Sequence, residues 1–95
     1  MIVEFTRSFD RNFSKLPIAL QKEAKGVVGE FLDCYTHRQF PKSLRMHKCG
    51  PFVSLSVSMS YRIFVSPTAG GVKFVFVGDH KDADDYLKKN CLFAN

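Results

Sequence analysis

Between Cys34 and Gly78 the chain has no aspartate or glutamate, although Arg38, Lys42, Arg45, Lys48, Arg62 and Lys73 fall in that span together with His37 and His47. No acid from the stretch can therefore neutralise Arg62 across neighbouring strands, and the block as a whole offers a footprint for a polyanion. The phosphate backbone of a nucleic acid is the simplest such partner. Cysteine is scarce. Cys34, Cys49 and Cys91 are odd in number and lack CxxC spacing, which argues against a disulfide framework or a zinc ribbon and suits a reducing cytoplasm. Cys34 and His37 can be drawn with His47 and Cys49 as a zinc site by ligand type, but their separation and flanking residues are atypical. No apolar run approaches the ~20 residues needed to span a bilayer. The N-terminus becomes charged at Glu4 and Arg7 before a signal core develops. The expectation is a cytoplasmic protein with no membrane partner and no cofactor.

What is present reads as one compact domain over residues 1–95, with 45% hydrophobic content and a net charge of +5 from 14 Lys+Arg against 9 Asp+Glu. Ile2, Val3 and Phe5 make a short strand, and Thr6, Ser8 and Asp10 after it suit a helix start. Phe9, Phe13 and Leu16 recur at helical spacing. Pro17 closes that helix and opens a second, in which Leu20, Ala24, Val27, Val28, Phe31 and Leu32 form an apolar stripe opposite Lys22, Glu23, Lys25 and Glu30. Residues 35–51 are basic and punctuated by Pro41, Gly50 and Pro51, an ordered loop with room for a strand over 44–47.

The C-terminal half predicts an antiparallel three-stranded meander. Residues 52–59 alternate strictly, 61–65 and 72–77 follow as strands, and 66–71 reads as a hairpin turn. Residues 82–90 end the fold as a short helix, with Asp82, Asp84 and Asp85 at its start and Lys88 and Lys89 at its end, as the helix dipole favours. The fold class is α+β. A tight turn near Ser60 sets Ser58 opposite Arg62, and the next turn sets Arg62 opposite Phe76. Ser54, Ser56, Ser58, Arg62, Phe64, Phe74 and Phe76 then share one face. Val53, Leu55, Val57, Ile63, Val65, Val75 and Val77 share the other, which the helix hairpin covers.

Cleaving RNA without a metal requires a base for the 2′-OH proton, a cation for the phosphate and an acid for the departing 5′-oxygen. Arg62, His80 and His47 have the right chemistry, since histidine titrates near neutrality and arginine presents a planar fork of donors. A lone histidine is more often a helix cap or a half-buried ring. The bland reading of Arg45, His47 and Lys48 is a solvated loop, set against contact with an RNA backbone. Tyr61 and Tyr86 read first as core or lid residues, and the serines at 54, 56 and 58 as the solvent side of a strand.

The residues Tyr61-Arg62-Ile63-Phe64 and Val75-Phe76-Val77-Gly78-Asp79-His80, in the order strand, two helices, meander and short terminal helix, resemble the RelE/ParE superfamily of bacterial toxin–antitoxin toxins. The resemblance covers nearly the whole chain and implies a single RelE-like toxin domain over residues 1–95. It also implies an mRNA endoribonuclease, usually ribosome-associated, that inhibits translation and is held by a cognate antitoxin. The catalytic positions would be Arg62, His80, His47 and Tyr86, with Arg38, Lys42, Arg45, Lys48 and Lys81 as RNA contacts. RelE itself has lysines where Ser54, Ser56 and Ser58 stand, so the histidine-using branch is the nearer likeness. ParE-like poisons of gyrase share the fold without nuclease chemistry, and an inactive RNA-binding relative is a third reading.

Overall fold

The computed structural model describes residues 1–90, and Cys91 lies outside them. Strand β1 (Ile2–Phe5) leads into helix α1 (Arg7–Ser14) and helix α2 (Ile18–His37). A single 3-10 turn at Lys42–Leu44 precedes β2 (Met46–Cys49), β3 (Phe52–Ser56), β4 (Tyr61–Thr68), β5 (Gly71–Asp79) and helix α3 (His80–Asn90). The sheet order is β1-β5-β4-β3-β2, with β1 parallel to β5 and the other pairs antiparallel. The architecture is the expected α+β one, but the sheet is mixed and five-stranded rather than a three-stranded meander. The added strand β2 forms because Gly50, at φ 62°, turns the chain back so that Cys49 pairs with Phe52. That strand lies two residues beyond the span expected from the sequence.

Local chemistry explains the boundaries. Thr6 caps α1, its Oγ1 accepting the Phe9 N–H at 3.0 Å. Pro17 stands at the start of α2, and the Gln21 Nε2 donates to the carbonyls of Phe13 (3.2 Å) and Leu16 (3.0 Å), holding the helix hairpin closed. Beyond His37, Arg38 ends α2 in the left-handed region at φ 54°.

The expected face assignment holds for Arg62, Phe64 and Phe76 and fails for Phe74 and Val75. Phe64 pairs with Phe76, but Val65 pairs with Phe74, so Val75 is an extra residue in β5. A bulge shifts all later residues to the opposite face, which strict alternation cannot foresee. Phe74 therefore joins the helix-hairpin core with Phe9, Phe31, Leu55, Ile63, Val65, Val72 and Val77. Its ring lies 4.9 Å from Phe5, 5.9 Å from Phe9 and 6.1 Å from Phe31. Val75 turns to the other face. Thr6 is tied to the bulge: its Oγ1 donates to the Val75 carbonyl at 3.4 Å and its N–H to that of Phe74 at 3.0 Å.

That other face is not open either. Helix α3 lies across it, and Phe52, Phe64, Val75 and Phe76 pack with Ala83, Tyr86 and Leu87 in a second core. The Tyr86 ring touches three phenyl rings, at 5.6 Å (Phe52), 5.8 Å (Phe64) and 5.0 Å (Phe76). Each phenyl so buried is worth about 1.5–3 kcal/mol of transfer free energy, enough to hold an 11-residue amphipathic helix in place. Phe64 and Phe76 of the Ser/Phe face are thus internal to the chain.

Candidate functional site

At the end of the β4–β5 ladder, Arg62 pairs with Gly78 on one side and with Ser56 on the other. The expected partners Phe76 and Ser58 are each displaced by two residues: the turn closing at Thr68 and Gly71 together with the Val75 bulge shifts the first, and residues 57–60, a wider connection than a tight turn at Ser60, shift the second. A shift of two preserves the face, so Arg62 stays on the side that α3 covers. Gly78 matters to this packing. A Cβ there would lie 2.6 Å from Cζ of Phe76, so the missing side chain is the space into which the Phe76 ring lies.

The turn of residues 57–60 gathers the proposed chemistry. Arg62 Nη1 donates to the carbonyls of Ser58 (3.3 Å) and Tyr61 (3.2 Å). His80, the first residue of α3, places Nε2 2.8 Å from the Met59 carbonyl, and its N–H donates to the Ser60 carbonyl at 3.1 Å. Within the same turn the Ser58 Oγ accepts the Ser60 N–H at 3.3 Å. Arg62 is half-buried and His80 exposed, so an arginine fork and an imidazole flank one open edge. Asp79 caps α3 by accepting the Asp82 N–H on Oδ1 at 2.8 Å, which accounts for one of the acids at the helix start.

His47 stands apart from this edge. It pairs with Ser54, which pairs with Phe64, which pairs with Phe76, so it lies three strands from β5 and four residues short of His80 along the strands. At ~4.8 Å per strand and ~3.3 Å per residue the two Cα atoms are roughly 20 Å apart in a flat sheet. The expectation that His47 and His80 exchange protons at one phosphate does not fit this register. His47 instead shares a groove of about 410 Å³ with Phe40, Pro41, Lys42, Arg45 and Met46. The neighbouring Lys48 pairs with Val53 and so projects to the opposite face from His47.

The remaining nominated residues separate as well. Arg38 lies beside Thr68, Ala69, Gly70 and Gly71 at the far end of the hairpin, six residues along β4 from Arg62. That is roughly 20 Å by strand rise. Lys81 is exposed on the first turn of α3 beside His80, and Tyr86 is a half-buried member of the second core. No three or more His, Cys, Asp or Glu side chains cluster to hold a metal ion among the described residues. Cys34 and Cys49 are free thiols. Burial pushes the Cys34 thiol up, and the Glu30 and Asp33 carboxylates add to the shift. Among the described residues no helix is long and apolar enough to cross a membrane.

No family model matches the chain, and no curated protein matches it in sequence. Solved structures do match its fold. A chain of the RelB–RelE antitoxin–toxin complex from Methanococcus jannaschii superposes with TM-score 0.68 at 19% identity, covering 87% of this chain and 96% of that one. YafQ from E. coli gives TM-score 0.63 at 11% identity, with 86% and 96% covered. A copper-bound mutant toxin from Helicobacter pylori gives 0.65 at 15%, with 84% and 94% covered. At these identities the likeness is one of fold, and it is a RelE-like fold that spans the helix hairpin and the sheet together.

Proposed function

From a fold shared with RelE-like toxins, we propose that this single domain is the toxin of a toxin–antitoxin pair and an endoribonuclease that cuts mRNA and inhibits translation in the cytoplasm. The observation that supports the reading is the convergence of Arg62 and His80 on one turn at the end of the central strands β4 and β5. RNA carries its own nucleophile, so the protein need only move protons and offset charge. His80 takes the proton of a 2′-OH, and the 2′-oxygen forms a bond to phosphorus. The bond from phosphorus to the 5′-oxygen breaks, and that oxygen leaves with the electron pair and takes a proton from solvent. The products are a 2′,3′-cyclic phosphate and a free 5′-hydroxyl. Arg62 uses Nη1 to hold the turn, and the other N–H groups of its fork address the non-bridging oxygens as charge builds.

The groove of Lys42, Arg45 and His47 guides the RNA strand toward the cut, and Lys81 meets a phosphate beside His80. Lys48 and Arg38, on other surfaces, add long-range attraction. Tyr86 supports the site from below by anchoring α3. The substrate is mRNA on the ribosome, and a cognate antitoxin is the protein partner, a reading supported by the antitoxin–toxin complex among the fold relatives. Mapping RNA ends in induced cells and with purified protein tests it. His80→Gln should retain the fold and lower cleavage about 10²–10⁴-fold, the usual worth of a general acid or base. Arg62→Lys should also be impaired, since a point charge cannot reproduce the fork. Growth arrest that survives both substitutions without new RNA ends would remove the nuclease and favour a non-catalytic protein poison.

A further inference from the structure

Residues 57–60 contain neither glycine nor proline, yet their carbonyls meet both side chains of the proposed site. Resting on the reading of His80 as the base, we propose that this turn fixes the His80 tautomer, with the proton on Nε2 and the lone pair on Nδ1. Ser58 is the positioning residue that keeps the turn in shape. The atom that takes the 2′-OH proton is then Nδ1 of His80.

The argument starts from what a carbonyl can do. It accepts and never donates, so the 2.8 Å contact between Nε2 and the Met59 carbonyl is a hydrogen bond only when Nε2 bears the hydrogen. In a neutral imidazole that leaves Nδ1 as the one basic nitrogen. A second bond, from the His80 N–H to the Ser60 carbonyl at 3.1 Å, ties the backbone to the same turn, so ring and main chain are held together. The turn itself is held at Ser58. Its Oγ accepts the Ser60 N–H at 3.3 Å, and its carbonyl accepts Arg62 Nη1 at 3.3 Å. The Val57 N–H to Tyr61 carbonyl bond at 3.0 Å closes the loop. A serine hydroxyl that satisfies a backbone N–H two residues on is a local alternative to a glycine-built turn, so shape here depends on one side-chain oxygen. Losing that oxygen frees the Ser60 N–H and loosens the carbonyls on which the ring and the fork rest.

The test is nitrogen-15 NMR of the histidines in the full chain at a pH where His80 is neutral. The expected spectrum shows the His80 proton on Nε2. A predominant Nδ1–H form would overturn the proposal, whether or not the protein cuts RNA. Ser58→Ala should populate the Nδ1–H form and lower kcat on an RNA substrate about tenfold with little change in KM. Ser58→Thr, which keeps the hydroxyl, should restore both the tautomer and the rate. If Ser58→Ala leaves the tautomer and kcat unchanged, Ser58 is not the positioning residue. Replacing His80 by Nδ1-methylhistidine removes the Nδ1 lone pair and should lower cleavage about 10²–10⁴-fold; cleavage retained at the parent rate would overturn the assignment of the base. Should the tautomer be as proposed while no RNA is cut, the nuclease reading fails and the structural inference stands.

Discussion

Gly78→Ala joins the packing of the sheet to the geometry of the site in one substitution. The new Cβ would lie 2.6 Å from Cζ of Phe76 and 3.3 Å from both Cε atoms, where ordinary contact begins at 3.4 Å. The ring tip must therefore retreat by about 0.8 Å to reach ordinary contact. It has nowhere easy to go, because the ring is buried with centroids 5.3 Å from Phe64 and 5.0 Å from Tyr86, already within stacking range. Overpacking of this kind costs about 1–3 kcal/mol. Taking ~2 kcal/mol at about 4–8 °C per kcal/mol for a domain of this size, Tm should fall by roughly 8–16 °C. Thermal and urea melts read this directly, and the urea slope should be unchanged. The decisive control is Phe76→Leu, which shortens the side chain and removes the clashing atom. The double variant should be more stable than the sum of the two single losses, by about 0.5–3 kcal/mol of coupling. A Tm within ~2 °C of the parent for Gly78→Ala, or strict additivity in the cycle, would refute the contact. Because Gly78 pairs with Arg62, the substitution should also lower cleavage while leaving salt-dependent RNA binding intact.

Phe74→Ala should cost about 3–5 kcal/mol, a large part of the ~5–15 kcal/mol of a typical domain, because the ring is fully buried among Phe5, Phe9 and Phe31; a loss below ~1 kcal/mol in urea titration would contradict that burial. Lys42→Ala and Arg45→Ala should each reduce the slope of log K against log salt by ~0.7 for single-stranded RNA and leave the single-turnover cleavage rate nearly unchanged; an unaltered slope would remove the groove from the RNA path. Because burial and the nearby Glu30 and Asp33 raise the Cys34 thiol above its ordinary value, its thiolate fraction at neutral pH is low. Alkylation of Cys34 by iodoacetamide should lag behind a free cysteine there and catch up as pH rises through the raised value, and equal rates at neutral pH would contradict that shift.

Much of the fold is local and was legible as such. Alternation over residues 52–59 marks β3, although the strand ends at Ser56, the apolar stripe from Leu20 to Leu32 marks α2, Thr6 marks a helix start, and the acids after Gly78 mark α3. Each of these is set by periodicity or capping within a few residues, which the order of side chains alone carries. The charge asymmetry that suggests a polyanion is likewise a property of the chain. What alternation cannot carry is the count of residues between pairings. At the bulge, the Val75 carbonyl accepts from Thr6 at the other end of the chain, and the bulge moves Phe74 from one core to the other. Covering of the Phe52–Phe64–Phe76 face by α3 is also a tertiary outcome, since the sequence of a strand does not say which helix will lie on it. The same holds for the site. Histidine and arginine side chains are visible as chemistry, but only the register separates His47 from His80 by three strands, and only the path of residues 57–60 brings Met59 and Ser58 carbonyls to His80 and Arg62. Hydrogen bonds to backbone carbonyls leave no trace in residue identity, because every residue supplies one.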